Sequence, residues 1–433
     1  LGRPGLALAR VSAGRTPGGQ RRSQHMHISA ALGKRAARAL ATELARDAGP
    51  KTGLLVDASA DSAVLAAALE ALRSDDRLTL VPPTPATARD AGTSLRAHVT
   101  AQGSWISERV RVVDLLDEAE PADFVLVGEP LAGTAEAARA YLDVLAKHVV
   151  AGGVLSVAVL AVPGLGASAE LDRQQAFAGA GADLVLRNTP PVRVHRLRFT
   201  PGRVPVAGVL GPAYRPSSVP LTRTMNIDSN GIAAAGIAAG LAVAAKVSRP
   251  SSRAWLLPAL AALPLAGFFR DPVRHVPPDE AAVVAASDGK VLSVQRLRDG
   301  RFGDSEFLRI AVFLSVLDVH INRAPVAGRV AEYFVEDGGY APAMRPDAEH
   351  NVAAYTVLET EHGRVVVAQR TGILARRIVQ RAPVGSLLAR GERFGLIRFG
   401  SRTDVYLPAD AAQPAVAPGD KVAGGTTVIA HWI

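Results

Sequence analysis

No cysteine occurs among the 433 residues of the chain. Disulfide staples, thiolate catalysis and cysteine-ligated metal are therefore excluded. Aromatic residues are scarce, at 5%, and no basic segment is interleaved with them. A base-stacking platform for nucleic acid is not expected. No cluster of His, Asp and Glu stands at ligand spacing, so no metal site is expected either. Uninterrupted apolar runs stay short of the roughly 20 residues that span a bilayer. What the chain does have is 48% hydrophobic residues, enough for sizeable cores in two or more domains. It also carries a net charge of +9 and a pI near 10.2. With nucleic acid set aside, that charge points to an anionic membrane surface.

Read in order, residues 1–25 are basic and rich in Gly, Arg and Ser, as in a disordered extension. Residues 26–200 alternate helical and strand patterns. A helix is expected over 30–48 and 62–72, with strands near 53–57, 77–81, 110–115, 123–127 and 154–160. Segments 182–186 and 192–199 read as a hairpin closing the sheet. This Rossmann-like α/β order resembles the class I methyltransferase architecture. Its binding residues are missing, however. The turn after the first strand, Asp57-Ala58-Ser59-Ala60-Asp61-Ser62, lacks the glycines that let a backbone approach a nucleotide. The second strand ends in Val81-Pro82-Pro83, with no carboxylate for a ribose. A degenerate domain kept for docking or regulation is expected.

Residues 201–229 read as a Pro/Gly/Ser-rich linker, and 230–270 as a membrane-associating helical hairpin. Its two apolar runs, 231–245 and 254–269, flank the basic stretch Lys246-Val247-Ser248-Arg249-Pro250-Ser251-Ser252-Arg253. Arg270 and Arg274 follow the second run. Basic residues at both ends favour a shallow, monotopic hairpin on the cytoplasmic face. From 271 to 433 strands dominate. The Gly419-Asp420-Lys421-Val422 turn resembles the hairpin of biotinyl and lipoyl carriers. The chain shows no acceptor lysine at a later hairpin, so Lys421 reads as a solvated turn residue.

Within the last region, Arg398-Phe399-Gly400-Ser401-Arg402-Thr403-Asp404-Val405-Tyr406-Leu407-Pro408 places a Gly-Ser bond in a β-branched, apolar run. A serine after glycine attacks the preceding carbonyl with little steric hindrance. An N-to-O shift followed by β-elimination would break the chain and leave a pyruvoyl group at Ser401. Other segments come in a fixed order. They are Phe268-Phe269-Arg270-Asp271-Pro272, Ala286-Ser287-Asp288-Gly289, Asp318-Val319-His320-Ile321-Asn322-Arg323-Ala324-Pro325, Glu361-His362-Gly363 and Gly391-Glu392-Arg393-Phe394-Gly395. In order and spacing this set resembles the short, prokaryotic form of the phosphatidylserine decarboxylase family, over residues 250–433.

The resemblance implies a mainly β domain of barrel-sandwich-hybrid type. It implies self-cleavage between Gly400 and Ser401 and a pyruvoyl cofactor made from Ser401, without pyridoxal phosphate or metal. A Schiff base on that group would decarboxylate phosphatidylserine to phosphatidylethanolamine. Asp288 matches the family aspartate of a charge-relay set and His320 its first histidine. Arg323 stands where the long form has a second histidine, so the maturation base is either His320 or His362. Arg323, Arg398 and Arg402 are candidates to pair with the substrate phosphodiester or carboxylate. The partners implied are the lipid, a heterodimer of the two cleavage fragments and a homo-oligomer. Rival readings are an archaetidylserine-like substrate, a non-catalytic membrane scaffold, and a lipid methyltransferase working through the N-terminal domain.

Overall fold

Strands that run parallel must be covered on both faces, and the first half of the chain is built that way. In the computed structural model, the described residues are 31–433 apart from 84–87, 163, 165, 212, 215–217, 374–376, 399 and 400. The stretch 1–25 read as an extension lies outside them. Seven strands, β1 (Thr52–Val56), β2 (Arg77–Leu80), β3 (Val110–Val112), β4 (Ala122–Val127), β5 (Val149–Leu160), β6 (Gly179–Val185) and β7 (Val192–Leu197), form one sheet. Its order is β3-β2-β1-β4-β5-β7-β6. The first five strands are parallel, and β7 runs antiparallel between β5 and β6. The late hairpin expected over 182–199 thus closes the sheet. Alternation along β1 sends Leu55 into one core and Leu54 and Val56 into the other.

Local signals set the helices. Ser62 Oγ accepts from Leu65 N at 3.0 Å and starts Ala63–Glu70. Thr134 Oγ1 does the same for Ala135–Ala146. The helix expected over 30–48 is broken into Lys34–Leu40 and Thr42–Arg46. The glycine-free turn after β1 is tight: Asp57 takes a positive φ of 55°, and its Oδ2 accepts from Tyr141 Oη at 2.7 Å.

The stretch read as a linker carries a short helix, Val204–Gly208, and strands Val219–Pro220 and Met225–Ile227. These strands pair with each other and with Arg270–Pro272. Between them rises a hairpin of two helices, Ser229–Ser248 and Leu256–Phe268. The first is longer than its apolar run because Asp228 caps it and Lys246 to Ser248 extend it.

Beyond the hairpin the chain is mainly β. An eight-stranded sheet contains, side by side, the strands Gly363–Arg370, Ser401–Pro408, Glu306–Leu314 and Gly289–Arg298. Two three-stranded sheets complete the domain. One joins Ile321–Arg323, Arg393–Arg398 and Arg377–Gln380; the other joins Ala282–Val284, Val428–Trp432 and Ala412–Pro414. Residues of all three sheets share one apolar core, among them Leu308, Val405, Phe394 and Ile429.

Candidate active site

Ser401 opens the Ser401–Pro408 strand, which is hydrogen-bonded on both sides. Leu314 faces Ser401 across one ladder, and Gly363–Arg370 runs along the other. Side chains alternate between faces. Val405 and Leu407 enter the shared core, so Ser401 and Thr403 point to that side. Arg402, Asp404 and Tyr406 point to the other, where Tyr406 packs in an aromatic cluster. Ser401 is fully buried, and its Oγ has no hydrogen-bond partner among the described residues. A buried hydroxyl left unpaired costs about 1–3 kcal/mol, so its persistence at this place calls for a chemical reason. Gly400, the other half of the expected cleavage bond, lies outside the described residues.

Asp288 sits at the same end of the sheet. Lys290 pairs with Phe313, Phe313 with Arg402, and Leu314 with Ser401. Two strand spacings of ~4.8 Å then put the Asp288 corner about 10 Å from Ser401. The corner is tight, because a Cβ on Gly289 would stand 2.1 Å from the Phe313 carbonyl. Ser287 Oγ and Thr403 Oγ1 share a hydrogen bond of 2.6 Å, both fully buried. This bond ties the Asp288 turn to the reactive strand. The carboxylate itself accepts from Gly424 N at 2.8 Å through Oδ1 and from Arg274 Nη2 at 2.5 Å through Oδ2. The aspartate–histidine relay implied by the resemblance is therefore not the contact formed here. Both oxygens are engaged by an arginine and a backbone amide.

His320 precedes Ile321–Arg323, and its carbonyl accepts from Ile397 N at 3.2 Å. That bond fixes it against the strand leading to Ser401. Its ring is 2% exposed and lies 4.3 Å from the Phe268 ring, at the foot of the hairpin. Burial pushes its pKa down to about 4, against the pull of the Asp318 carbonyl and carboxylate. Nδ1 lies 2.9 Å from the Asp318 carbonyl, so the neutral ring donates there and carries its lone pair on Nε2. It is a base at neutral pH, not a cation.

The other candidates fall in different places. His362 stacks on Trp432 at 4.4 Å, in the turn beside Pro408. It is at the far end of the strand from Ser401, about 20 Å away at ~3.3 Å per residue, too far to serve as the maturation base. Arg323 is buried, with Nη2 on Asp271 Oδ1 at 2.9 Å and Nη1 on the Gly391 carbonyl at 3.1 Å. Burial lowers its pKa to about 10. Arg402 is on the opposite face from Ser401, with Nε on Asp404 Oδ1 at 2.6 Å. Arg398 is the least buried of the three. Its Nη2 donates to Asn230 Oδ1 in the first hairpin helix at 2.6 Å.

Two polar residues near the site escaped the sequence reading as functional groups. Gln369 pairs with Thr403 and donates to Asn322 Oδ1 at 2.7 Å. Asn322 Nδ2 and Gln369 Oε1 are left buried and unpartnered among the described residues. The available signal was a polar residue inside each apolar strand run. Among the described residues no group of three or more metal-ligating side chains occurs.

Comparison with known proteins separates the two halves. A profile described as phosphatidylserine decarboxylase matches residues 263–430. The phosphatidylserine decarboxylase proenzyme of Symbiobacterium thermophilum is 49% identical over 164 residues, covering 37% of this chain and 76% of that protein. That of Thermobifida fusca is 47% identical over 191 residues, covering 44% and 84%. Over the other half, the O-methyltransferase TomG from Streptomyces achromogenes is similar at 15% identity and a TM-score of 0.29, covering 40% of this chain and 82% of that one. So low a score adds nothing to the strand order itself. The decarboxylase relatives are matched over most of their length at nearly half identity, the profile match spans Asp288, His320 and Ser401, and the chain therefore belongs to the phosphatidylserine decarboxylase family.

Proposed function

We propose that the chain is a self-processing decarboxylase that converts phosphatidylserine to phosphatidylethanolamine and CO2, with Ser401 as the origin of its prosthetic group. The observation that carries this reading is the buried, unpartnered Ser401 hydroxyl at the head of a central strand. In maturation Ser401 Oγ attacks the Gly400 carbonyl and the peptide becomes an ester. β-Elimination then frees the Gly400 carboxylate, and water replaces the nitrogen as ammonia to leave the ketone. Asp288, held by Arg274 and Gly424, fixes the turn that braces the strand through Ser287 and Thr403. His320, neutral and buried, is the candidate to take the hydroxyl proton.

A pyruvoyl group fits the residues present, since Gln369, paired with Thr403 on the Ser401 face, holds Asn322, whose unpartnered Nδ2 is a buried donor that would satisfy a carbonyl. When formed it supplies an electron sink for the carbanion left by departing CO2. His320, having taken up a proton as base, is the candidate to pass one to the substrate carbon in exchange. Arg398 is the candidate partner for the substrate phosphodiester, and Arg323 and Arg402 serve to set the scaffold.

The short C-terminal fragment and the long N-terminal one stay together as a heterodimer, and the whole acts as a homo-oligomer. The shared core between the large sheet and the smaller ones supports the barrel-sandwich-hybrid description. The hairpin anchors the enzyme. Among the described residues, Ser229–Ser248 is the one helix long and apolar enough to cross a membrane, with mean hydropathy 1.6 and 17% of it buried. Its 20 residues reach ~30 Å at ~1.5 Å each, while the 13 of its partner reach ~20 Å. That mismatch and the basic tip support shallow insertion from the cytoplasmic face.

Denaturing electrophoresis and mass spectrometry test the reading. A chain cut at 400–401, with a pyruvoyl mass on the small fragment and CO2 released from phosphatidylserine vesicles, is expected. One intact chain of 45.0 kDa would refute it. Archaetidylserine-type lipids share the head group and are assayed alongside.

A further inference from the structure

Phosphatidylserine is held in its bilayer by two acyl chains, so the groups that act on its serine must come to the surface. The headgroup layer there is only roughly 5–8 Å deep. His320 is buried, and the segment that carries it decides how it meets the lipid.

That segment is a tight turn, Ser315-Val316-Leu317-Asp318. It follows the strand Glu306–Leu314 and ends two residues before His320. Three hydrogen bonds pin it. Asp318 N donates to the Ser315 carbonyl at 3.0 Å, and Ser315 N donates to Asp318 Oδ2 at 2.7 Å. The Leu317 carbonyl accepts from Arg270 Nη2, at the foot of the hairpin. Turn tips ordinarily carry Gly, Pro, Asn, Asp or Ser. This one carries two apolar side chains instead, with Leu317 83% and Val316 46% exposed. A leucine left in water forgoes the free energy of burial, and a turn pinned at three points cannot fold it away.

The surroundings favour a lipid surface as the partner. The second hairpin helix ends at Phe268, whose ring lies 4.3 Å from that of His320. Leu257, Leu260 and Leu263 on that helix are exposed as well, so apolar surface continues from the hairpin toward the turn. No acidic residue occurs from 229 to 270, and Arg270 stands beside the tip. Asp318, the one acid of the turn, spends a carboxylate oxygen on Ser315 N. Apolar tips ringed by uncompensated basic charge suit an anionic bilayer. The turn also orients the histidine, because the Asp318 carbonyl accepts from His320 Nδ1 at 2.9 Å. One rigid unit thus has exposed apolar side chains at its tip and His320 at its base.

We propose that Val316 and Leu317 form a second membrane contact beside the hairpin, a wedge that enters the acyl boundary of an anionic bilayer and so brings the serine headgroup to His320. The proposal rests on the reading of His320 and Ser401 as the reacting site.

The chain has no cysteine, so Leu317→Cys offers a single place for an environment-sensitive fluorophore. On phosphatidylcholine vesicles containing phosphatidylserine, blue-shifted emission and quenching by brominated acyl chains are expected. In kinetics, Leu317→Gln is expected to raise the half-saturating concentration of vesicle lipid roughly tenfold. The rate at saturating lipid, and the rate on a monomeric short-chain phosphatidylserine, stay within about twofold of wild type. A merely structural role for the turn would disturb His320 and lower those two rates as well. A label that stays in water on the vesicles overturns the proposal. So does a Leu317→Gln variant that matches wild type on vesicles, or one that loses equally on both substrates. An uncut, inactive wild-type chain removes the Ser401 reading instead, and the quenching result then decides whether the turn enters the bilayer.

Discussion

The two faces of the Ser401–Pro408 strand are opposites in how they treat polar groups. On one side Ser401 leaves its hydroxyl unpaired among the described residues, and Thr403 and Gln369 lie in an otherwise apolar core. On the other side charges are matched. Asp404 accepts from Arg370 Nε at 2.9 Å and from Arg402 Nε at 2.6 Å. Glu349 draws Arg309 to 2.8 Å. Burial opposes the Asp404 charge, yet Arg402 and Arg370 hold its pKa below the usual carboxylate range. Adjacent residues of one strand therefore divide the work. The charge-paired face fixes the strand, although Arg402 Nη2 and Arg309 Nε lack hydrogen bonds there among the described residues, and the other face carries the proposed nucleophile.

The sharpest way to break this division is Ser401→Ala. It removes one hydroxyl that bonds to nothing, so the fold is expected to stay and melting to change little. Cutting and CO2 release are both expected to vanish, read on a gel and with carboxyl-labelled phosphatidylserine. Asp404→Asn on the other face does the reverse. It leaves two buried guanidiniums short of an anion, and a loss of about 3–5 kcal/mol is expected in denaturant unfolding. Cutting should fall only as far as folded chain is lost.

Acid separates the faces by a different route. The folded pKa of His320 is depressed to about 4, so the unfolded chain binds its proton first as pH drops below ~6.5. The stability from its neutral form is then lost as pH falls toward 4, about 2 kcal/mol by pH 5 and about 3 near pH 4. The depressed Asp404 contributes little above about pH 5, since its stability begins to be lost only as pH falls through the ordinary carboxylate range. His195 in the α/β domain, also lowered to about 4 by burial, adds a similar loss. His320→Gln is therefore expected to keep roughly half of the acid sensitivity in unfolding curves at pH 7 and pH 5. The same variant sorts the chemistry. Cutting without CO2 release would assign His320 to turnover, and loss of cutting would assign it to maturation.

The smallest effect is expected from Ser287→Ala. It orphans the Thr403 hydroxyl and costs about 1–3 kcal/mol. Because the bond braces the Asp288 turn, cutting should slow by more than melting alone explains. Equal slowing by a distant variant of the same stability would remove Ser287 from the site.

The proposed reactive serine, Ser401, was singled out because a Gly-Ser pair interrupts a β-branched run at a fixed sequence distance from Asp288 and His320. The sheet order of the α/β domain was legible from strand spacing. What escaped has physical causes. Arg402 adjoins Ser401 in sequence and looked like a substrate ligand, but parity along a strand sends neighbours to opposite faces. Arg274 pairs with Asp288 across a turn that no periodicity encodes. The first hairpin helix ran past its apolar stretch because capping by Asp228 lies outside any hydropathy window. The Pro/Gly-rich stretch 201–229 gained its strands by pairing with residues beyond the hairpin.

The place of the proposed scissile bond, before Ser401, has a consequence for the history of each molecule. Residues 401–433 supply a strand that lies between Glu306–Leu314 and Gly363–Arg370, and a second, Val428–Trp432, paired with Ala282–Val284. Once cut, this piece is woven into the larger one with no peptide link to guide it. Assembly of the fold is unimolecular before the cut and bimolecular after it. A matured enzyme that unfolds in dilute solution must find its missing strand by diffusion, so folding comes first, cutting second, and the order does not run backwards.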